Sequence, residues 1–97
     1  MVPAVRPSAE WDAYARELGH TLKRLREKRG IAQEQLAYAA GLSRYTYQKW
    51  EKGESAPGSP SNPSLRNMMA IAQVLGVTLD ELLPQPWPDL RPGRIGE

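Results

Sequence analysis

Two short stretches of helical periodicity meet at Gly41, inside the run Ile-Ala-Gln-Glu-Gln-Leu-Ala-Tyr-Ala-Ala-Gly-Leu-Ser-Arg-Tyr-Thr-Tyr-Gln-Lys-Trp-Glu-Lys-Gly that fills residues 31–53. So brief a break makes the second helix turn sharply and pack back on the first. Glycine suits that corner, because a C-terminal cap in the left-handed region penalises any Cβ. Ser43 follows as the expected N-cap of the second helix, its hydroxyl placed to accept from a first-turn amide. That helix is polar and basic, and its outer side has no evident part in packing. A helix so presented suits insertion into a DNA groove.

The rest of the chain is punctuated in the same way. Gly30, Gly41, Gly53 and Gly76 each close a periodic segment, which predicts an all-α fold, a compact five-helix bundle. The first helix covers residues 9–29, with Pro7 before it, Ser8 as its cap, and Trp11, Tyr14, Leu18, Leu22 and Leu25 at three- and four-residue intervals. Gly19 inside it marks a candidate bend. The second helix, 33–40, turns Leu36, Ala37 and Ala40 inward. Its cap position, Ala32, has no side-chain acceptor, a deficit of about 1 kcal/mol against Ser or Thr. In the third, 44–52, Tyr47 and Trp50 face inward with Glu51 beside them, leaving Arg44, Tyr45, Gln48, Lys49 and Lys52 outward or at the edges.

Residues 54–63 hold three prolines, three serines and a glycine and read as a loop longer than the usual helix connection. The fourth helix, 64–75, carries Leu65, Met68, Met69, Ile71, Ala72 and Leu75 as an apolar stripe. Thr78-Leu-Asp-Glu81 is a capping box that opens a brief fifth helix ending at Pro84. At 97 residues the chain builds one core and not two. The expected division is a flexible N-terminal arm at 1–8, a helical domain at 9–84, and a proline-rich tail at 85–97 that lacks fixed structure unless Trp87 docks.

Pro3 and Pro7 break the N-terminus, so no secretory leader is expected, and no apolar run approaches the roughly 20 residues that span a bilayer. With no cysteine, a soluble, reducing, cytoplasmic setting is the simplest expectation. Net charge is only +2, but residues 21–52 carry eight basic side chains against three acidic ones, leaving the remainder at −3. Charge gathered around the hinged helices is what a polyanionic partner requires, although a solvated helix face accounts for many such runs. Catalysis finds no constellation. His20 is the single histidine, there is no thiol for nucleophilic or zinc chemistry, and Asp80 and Glu81 are turned about 100° apart on a helix, forming neither a metal clamp nor an acid–base pair. No enzyme activity, metal or cofactor is expected. His20 reads as a surface or half-buried helical residue, and Met68 and Met69 read as core.

Several strings occur in a linked order: Leu-Lys-Arg-Leu-Arg at 22–26, Arg29-Gly30, Gln33-Glu34-Gln35-Leu36-Ala37, Gly41-Leu42-Ser43, Trp50-Glu51-Lys52-Gly53, Pro63-Ser64-Leu65, and Ile71-Ala72 through Leu75-Gly76-Val77-Thr78-Leu79-Asp80-Glu81-Leu82-Leu83. Over about residues 18–83 they make the chain resemble the Xre family, the Cro and phage-repressor type of helix-turn-helix protein. The resemblance implies the lambda-repressor-like DNA-binding fold, with double-stranded DNA as partner. It implies base contacts from Arg44, Tyr45 and Lys49 of the third helix. Arg and Lys suit guanine O6 and N7, and a tyrosine ring can pack on a thymine methyl or touch a phosphate. By the same resemblance Gln33 meets a phosphate at the start of the second helix, and Ser43, Thr46, Gln48 and Lys52 are further backbone contacts. Arg26 and Glu51 match a pair that ties the first helix to the end of the third, a structural role.

The implied function is a sequence-specific transcriptional regulator, a repressor rather than an activator, since no segment suits ligand sensing or recruitment of polymerase. One recognition helix touches few bases, so a homodimer on a palindrome with half-sites about 34 Å apart is expected. The alternative keeps the scaffold and changes the partner: a protein-binding module, such as an antitoxin or accessory subunit, engaging a protein through the first helix or the tail. The chain departs from the family pattern at Ala32, in the length of the 54–63 loop, and in that loop's lack of Lys and Arg. Ser55, Ser59, Ser61 and Asn62 are the donors left there for a phosphate. The first helix also begins early, and its Trp11 and Tyr14 are expected to pack internally.

Overall fold

The computed structural model describes residues 8–91. In chain order its elements are α1 (Ser8–Arg29), α2 (Gln33–Ala39), α3 (Arg44–Glu51), β1 (Glu54–Ala56), β2 (Ser59–Pro60), α4 (Leu65–Leu75) and α5 (Leu79–Leu82). Each helix contributes apolar side chains to one core, centred on Leu18 and Leu22 of α1, Leu36 of α2, Tyr47 of α3, Ile71 of α4 and Leu82 of α5. Removing one such fully buried leucine side chain to alanine costs about 2–5 kcal/mol. Among the described residues no helix is long and apolar enough to cross a membrane.

Local chemistry sets the helix ends. Gly41 takes φ +77°, and the amides of Leu42 and Gly41 donate to the carbonyls of Ala37 at 2.8 Å and Tyr38 at 3.1 Å, closing α2 with two otherwise orphaned acceptors satisfied. Ser43 then caps α3, its Oγ accepting from the Thr46 amide at 3.1 Å. Ser64 does the same for α4 through the Asn67 amide at 3.1 Å. Thr78 and Glu81 cap each other reciprocally at α5. Ala32 gives α2 no side-chain cap, but Gln35 Oε1 reaches back to accept from the Ala32 amide at 2.8 Å, supplying half of a capping box.

Several expectations need correction. The 54–63 segment is not a plain loop: β1 and β2 pair antiparallel, Glu54 opposite Pro60 and Ala56 opposite Ser59, around the exposed Pro57-Gly58 turn. The hairpin is anchored at its base, where the Ser61 amide donates to Gly53 at 2.9 Å and the Ser61 carbonyl accepts from Trp11 Nε1 at 2.9 Å. Ser61 is consequently fully buried and offers nothing to an outside phosphate, while Ser55 Oγ donates to the Pro60 carbonyl. On α4 the buried stripe is Met68, Ile71, Ala72 and Leu75, whereas Leu65 and Met69 are exposed. Those two form a neighbouring row four residues apart, which lies beyond the reach of the core.

Toward the N-terminus, α1 includes Ser8 as its first residue, so Ser8 is not a cap outside the helix. Pro7 and residues 1–7 of the expected arm lie outside the described residues, as do residues 92–97 of the tail. Tyr14 is buried and its hydroxyl donates to the Pro84 carbonyl at 3.0 Å. The tail therefore starts against α1, and Trp87, still largely exposed, borders a groove with Trp11 and Tyr14.

Helix α1 runs unbroken through Gly19. A Cβ there would lie 2.6 Å from the Glu51 carbonyl oxygen and 2.8 Å from that of Trp50, so glycine is what lets the end of α3 press directly on α1. Mid-helix Gly→Ala ordinarily stabilises by about 1 kcal/mol. Here Gly19→Ala is expected to lower stability by about 1–3 kcal/mol, because two backbones must separate. Urea unfolding measures it, and an unchanged or raised midpoint would contradict the close approach.

Candidate nucleic-acid interface

Helix α3 divides into two faces. Tyr47, Trp50 and Glu51 are buried, and their three- and four-residue spacing places them on one side. The other side carries Arg44, Tyr45, Gln48, Lys49 and, at the C-cap, Lys52. Arg44, Tyr45 and Lys52 are exposed, and Gln48 and Lys49 are half-buried. The expected base-contacting residues are thus brought together on one outward surface. Tyr45 is 67% exposed, and the Lys49 ammonium sits 4.1 Å from the centre of its ring. Such a cation–π contact is worth about 0.5–1 kcal/mol at an exposed site and holds the lysine along the helix. Ser43 and Thr46 stand at the start of the same helix, where the Ser43 hydroxyl donates to Thr46 Oγ1 at 2.9 Å.

Gln33 is placed differently from a free surface donor. Its Nε2 donates to Glu51 Oε1 at 2.9 Å, so it belongs to the support of α3 as well as to the start of α2. It still lines a cleft of about 440 Å³ between the first turns of α2 and α3, with Ala32, Glu34, Arg26 and Arg44. Sequence reasoning missed the Gln33–Glu51 bond and the Gly19 contact. The only signal for the latter was a glycine in mid-helix.

The expected Arg26–Glu51 pair is present and bidentate: Nε donates to Oε2 at 2.6 Å and Nη2 to Oε1 at 3.1 Å. Arg26 Nη1 also donates to the Ile31 carbonyl at 2.9 Å, reaching the corner between α1 and α2. Tyr47, buried beside this cluster, makes no hydrogen bond of ordinary geometry, yet its hydroxyl is close enough to the carboxylate to act on it. Burial pushes the Tyr47 hydroxyl far above the usual tyrosine range, with the Glu51 carboxylate adding to the shift. For Glu51 the largest single influence, burial, raises the carboxyl, but Arg26, Tyr47 and Gln33 together outweigh it and leave the pKa below its ordinary value of 4.5. The hydrogen bond to Glu51 in turn raises Arg26.

Removing one member of a buried pair strands the other, whereas apolar replacement of both removes the desolvation cost as well. Glu51→Ala is accordingly expected to cost about 3 kcal/mol, and Arg26→Met with Glu51→Leu together less than Glu51→Ala alone, read from urea midpoints. A carboxyl whose native pKa is lowered contributes stability above its unfolded value and loses it as pH falls through the native one. Stability should therefore decline below about pH 4.5, and Glu51→Gln should flatten that decline. An acid profile identical in the two proteins would show that the carboxylate carries none of it.

Comparison with known proteins fits this geometry. The family model described as Helix-turn-helix matches residues 22–82. The HTH-type transcriptional activator BcrR of Enterococcus faecalis is 34% identical over 67 residues, which is 69% of this chain and 30% of that protein. The SPbeta prophage-derived uncharacterized HTH-type transcriptional regulator YonR of Bacillus subtilis (strain 168) is 32% identical over 65 residues, 67% of this chain and 55% of that one. The chain thus spans between 30% and 55% of the length of these relatives. Among solved structures, the restriction-modification controller protein C.AhdI from Aeromonas hydrophila superposes with a TM-score of 0.65 at 32% identity, over 73% of this chain and 98% of that chain. With its hinge at Gly41, its half-exposed third helix and a match covering well over half of its length, the chain belongs to the Xre (Cro and phage-repressor) type of the helix-turn-helix family.

Proposed function

We propose that this protein is a sequence-specific DNA-binding transcriptional regulator that reads the major groove with α3. The observation that carries the reading is the outward row of Arg44, Tyr45 and Lys49 on a helix whose inner face is locked into the core. In this reading Arg44 and Lys49 donate to guanine edges and Tyr45 packs on a thymine methyl. Ser43, Thr46, Gln48 and Lys52 contact the sugar-phosphate backbone. Gln33 joins them, since an amide nitrogen has two hydrogens and the bond to Glu51 engages only one. A neutral or acidic α3 surface would favour the protein-binding alternative. Arg44, Lys49 and Lys52 argue the other way.

Single-helix recognition supports few base contacts, so the working form is a homodimer on a palindrome with half-sites about 34 Å apart. Repression is the simplest mode, because occupancy of a promoter blocks polymerase without any further surface. Its place of action is the cytoplasm, where the DNA is.

Phosphate neutralisation releases counterions, so affinity for an operator obtained by random-oligonucleotide selection should fall about a thousandfold between roughly 50 and 200 mM salt. A flat response would contradict phosphate-driven binding. Lys49→Glu should abolish operator binding while lowering the thermal midpoint by only a few degrees, as loss of the Tyr45 contact predicts, so that the protein stays folded. Retained binding by that variant in a gel-shift titration would remove α3 as the reader.

A further inference from the structure

Trp11 and Tyr14 of α1, Leu83, and Trp87, Pro88 and Leu90 of the tail line an open groove of about 330 Å³. All six lie outside residues 22–82 that the family model matches. Its wall is almost wholly apolar. The polar ends of two of its aromatic residues are already engaged, Trp11 Nε1 with the Ser61 carbonyl and Tyr14 Oη with the Pro84 carbonyl. What these residues leave for a ligand is ring surface. The Trp11 and Tyr14 rings lie 5.5 Å apart and tilted by 32°, and Trp87 across from them is 62% exposed.

Tyr14, Trp87 and Pro88 also border a second depression of about 290 Å³, where Glu10 and Glu17 complete the rim. Neither carboxylate is in an ion pair among the described residues, and no basic side chain borders either depression there. Arg91, close by in the chain, is engaged by Asp89 at 2.9 Å. Aromatic faces are electronegative and attract cations, tryptophan most strongly. Three such rings, an apolar wall and two carboxylates without an ion pair among the described residues disfavour an anion, and a neutral ligand leaves the charge of the site unmatched.

We propose that these two adjoining depressions, which share Tyr14, Trp87 and Pro88, together bind a hydrophobic organic cation, its apolar groups against Trp11, Tyr14 and Trp87 and its positive centre within the field of Glu10 and Glu17. Tetraphenylphosphonium is a suitable probe, with tetraphenylborate as a control of the same shape and opposite charge. Trp50 is buried in the core, so a fluorescence change on titrating the full chain reports Trp11 and Trp87. The expected result is saturable binding of the cation at least about tenfold tighter than the anion. Trp87→Ala should weaken it about tenfold, and Glu10→Gln with Glu17→Gln about fivefold or more, both with unchanged circular dichroism and thermal midpoint.

Equal or tighter binding of the borate, or indifference to the glutamine pair, would reduce the groove to a nonselective apolar patch and overturn the proposal. So would absence of binding, whether the protein sediments as a monomer or as a dimer that Trp87→Ala dissociates. The dimer outcome would assign the groove to a second copy of the chain.

Discussion

One buried carboxylate organises the part of this molecule that matters. Glu51, at the end of α3, receives the guanidinium of Arg26 from α1 and the amide of Gln33 from α2, so three helices are registered against a single group. Burying a charge is costly, and the bidentate pair offsets that cost more than it adds net stability. Its value lies in direction: a planar fork matched to a carboxylate accepts few relative positions of the helices that carry it. Gly19 makes the arrangement possible, because the backbone carbonyls of Trp50 and Glu51 rest where any side chain on α1 would stand.

The consequence is an α3 whose inner face is fixed to the body of the protein by several independent contacts. Tyr47 and Trp50 hold α3 from beneath through apolar contact, Glu51 holds it through directed hydrogen bonds, and Ser43 ends it cleanly at the other side. The outward residues are then free of structural duty. Even so, Lys49 is biased toward one direction, since its ammonium rests on the Tyr45 ring. A long side chain ordered before binding loses less conformational entropy when it engages a partner.

Two further segments close on this core. The hairpin after α3 closes on Trp11 through the Ser61 carbonyl, and the tail closes on Tyr14 through the Pro84 carbonyl. The early turns of α1 are thus a hub to which both segments attach. This is why its two aromatic residues are at once packed against the protein and partly available at its surface.

The amino-acid sequence alone determined whatever depends on neighbours within a helical turn or two. The Gly41 corner, the Ser43 and Thr78 caps, the inward side of α3 and the outward placement of Arg44, Tyr45 and Lys49 all follow from local hydrogen bonding and the 3.6-residue period. Tertiary structure decided what depends on residues far apart in the chain. Gln33 serves Glu51, Gly19 admits a second backbone, Leu65 and Met69 stay in water although their neighbours are buried, and a proline-rich stretch becomes a hairpin because Trp11 holds its base. Periodicity records which side of a helix is apolar. It carries no information on how close another element comes, because that distance is set by packing between segments whose spacing in the sequence is arbitrary.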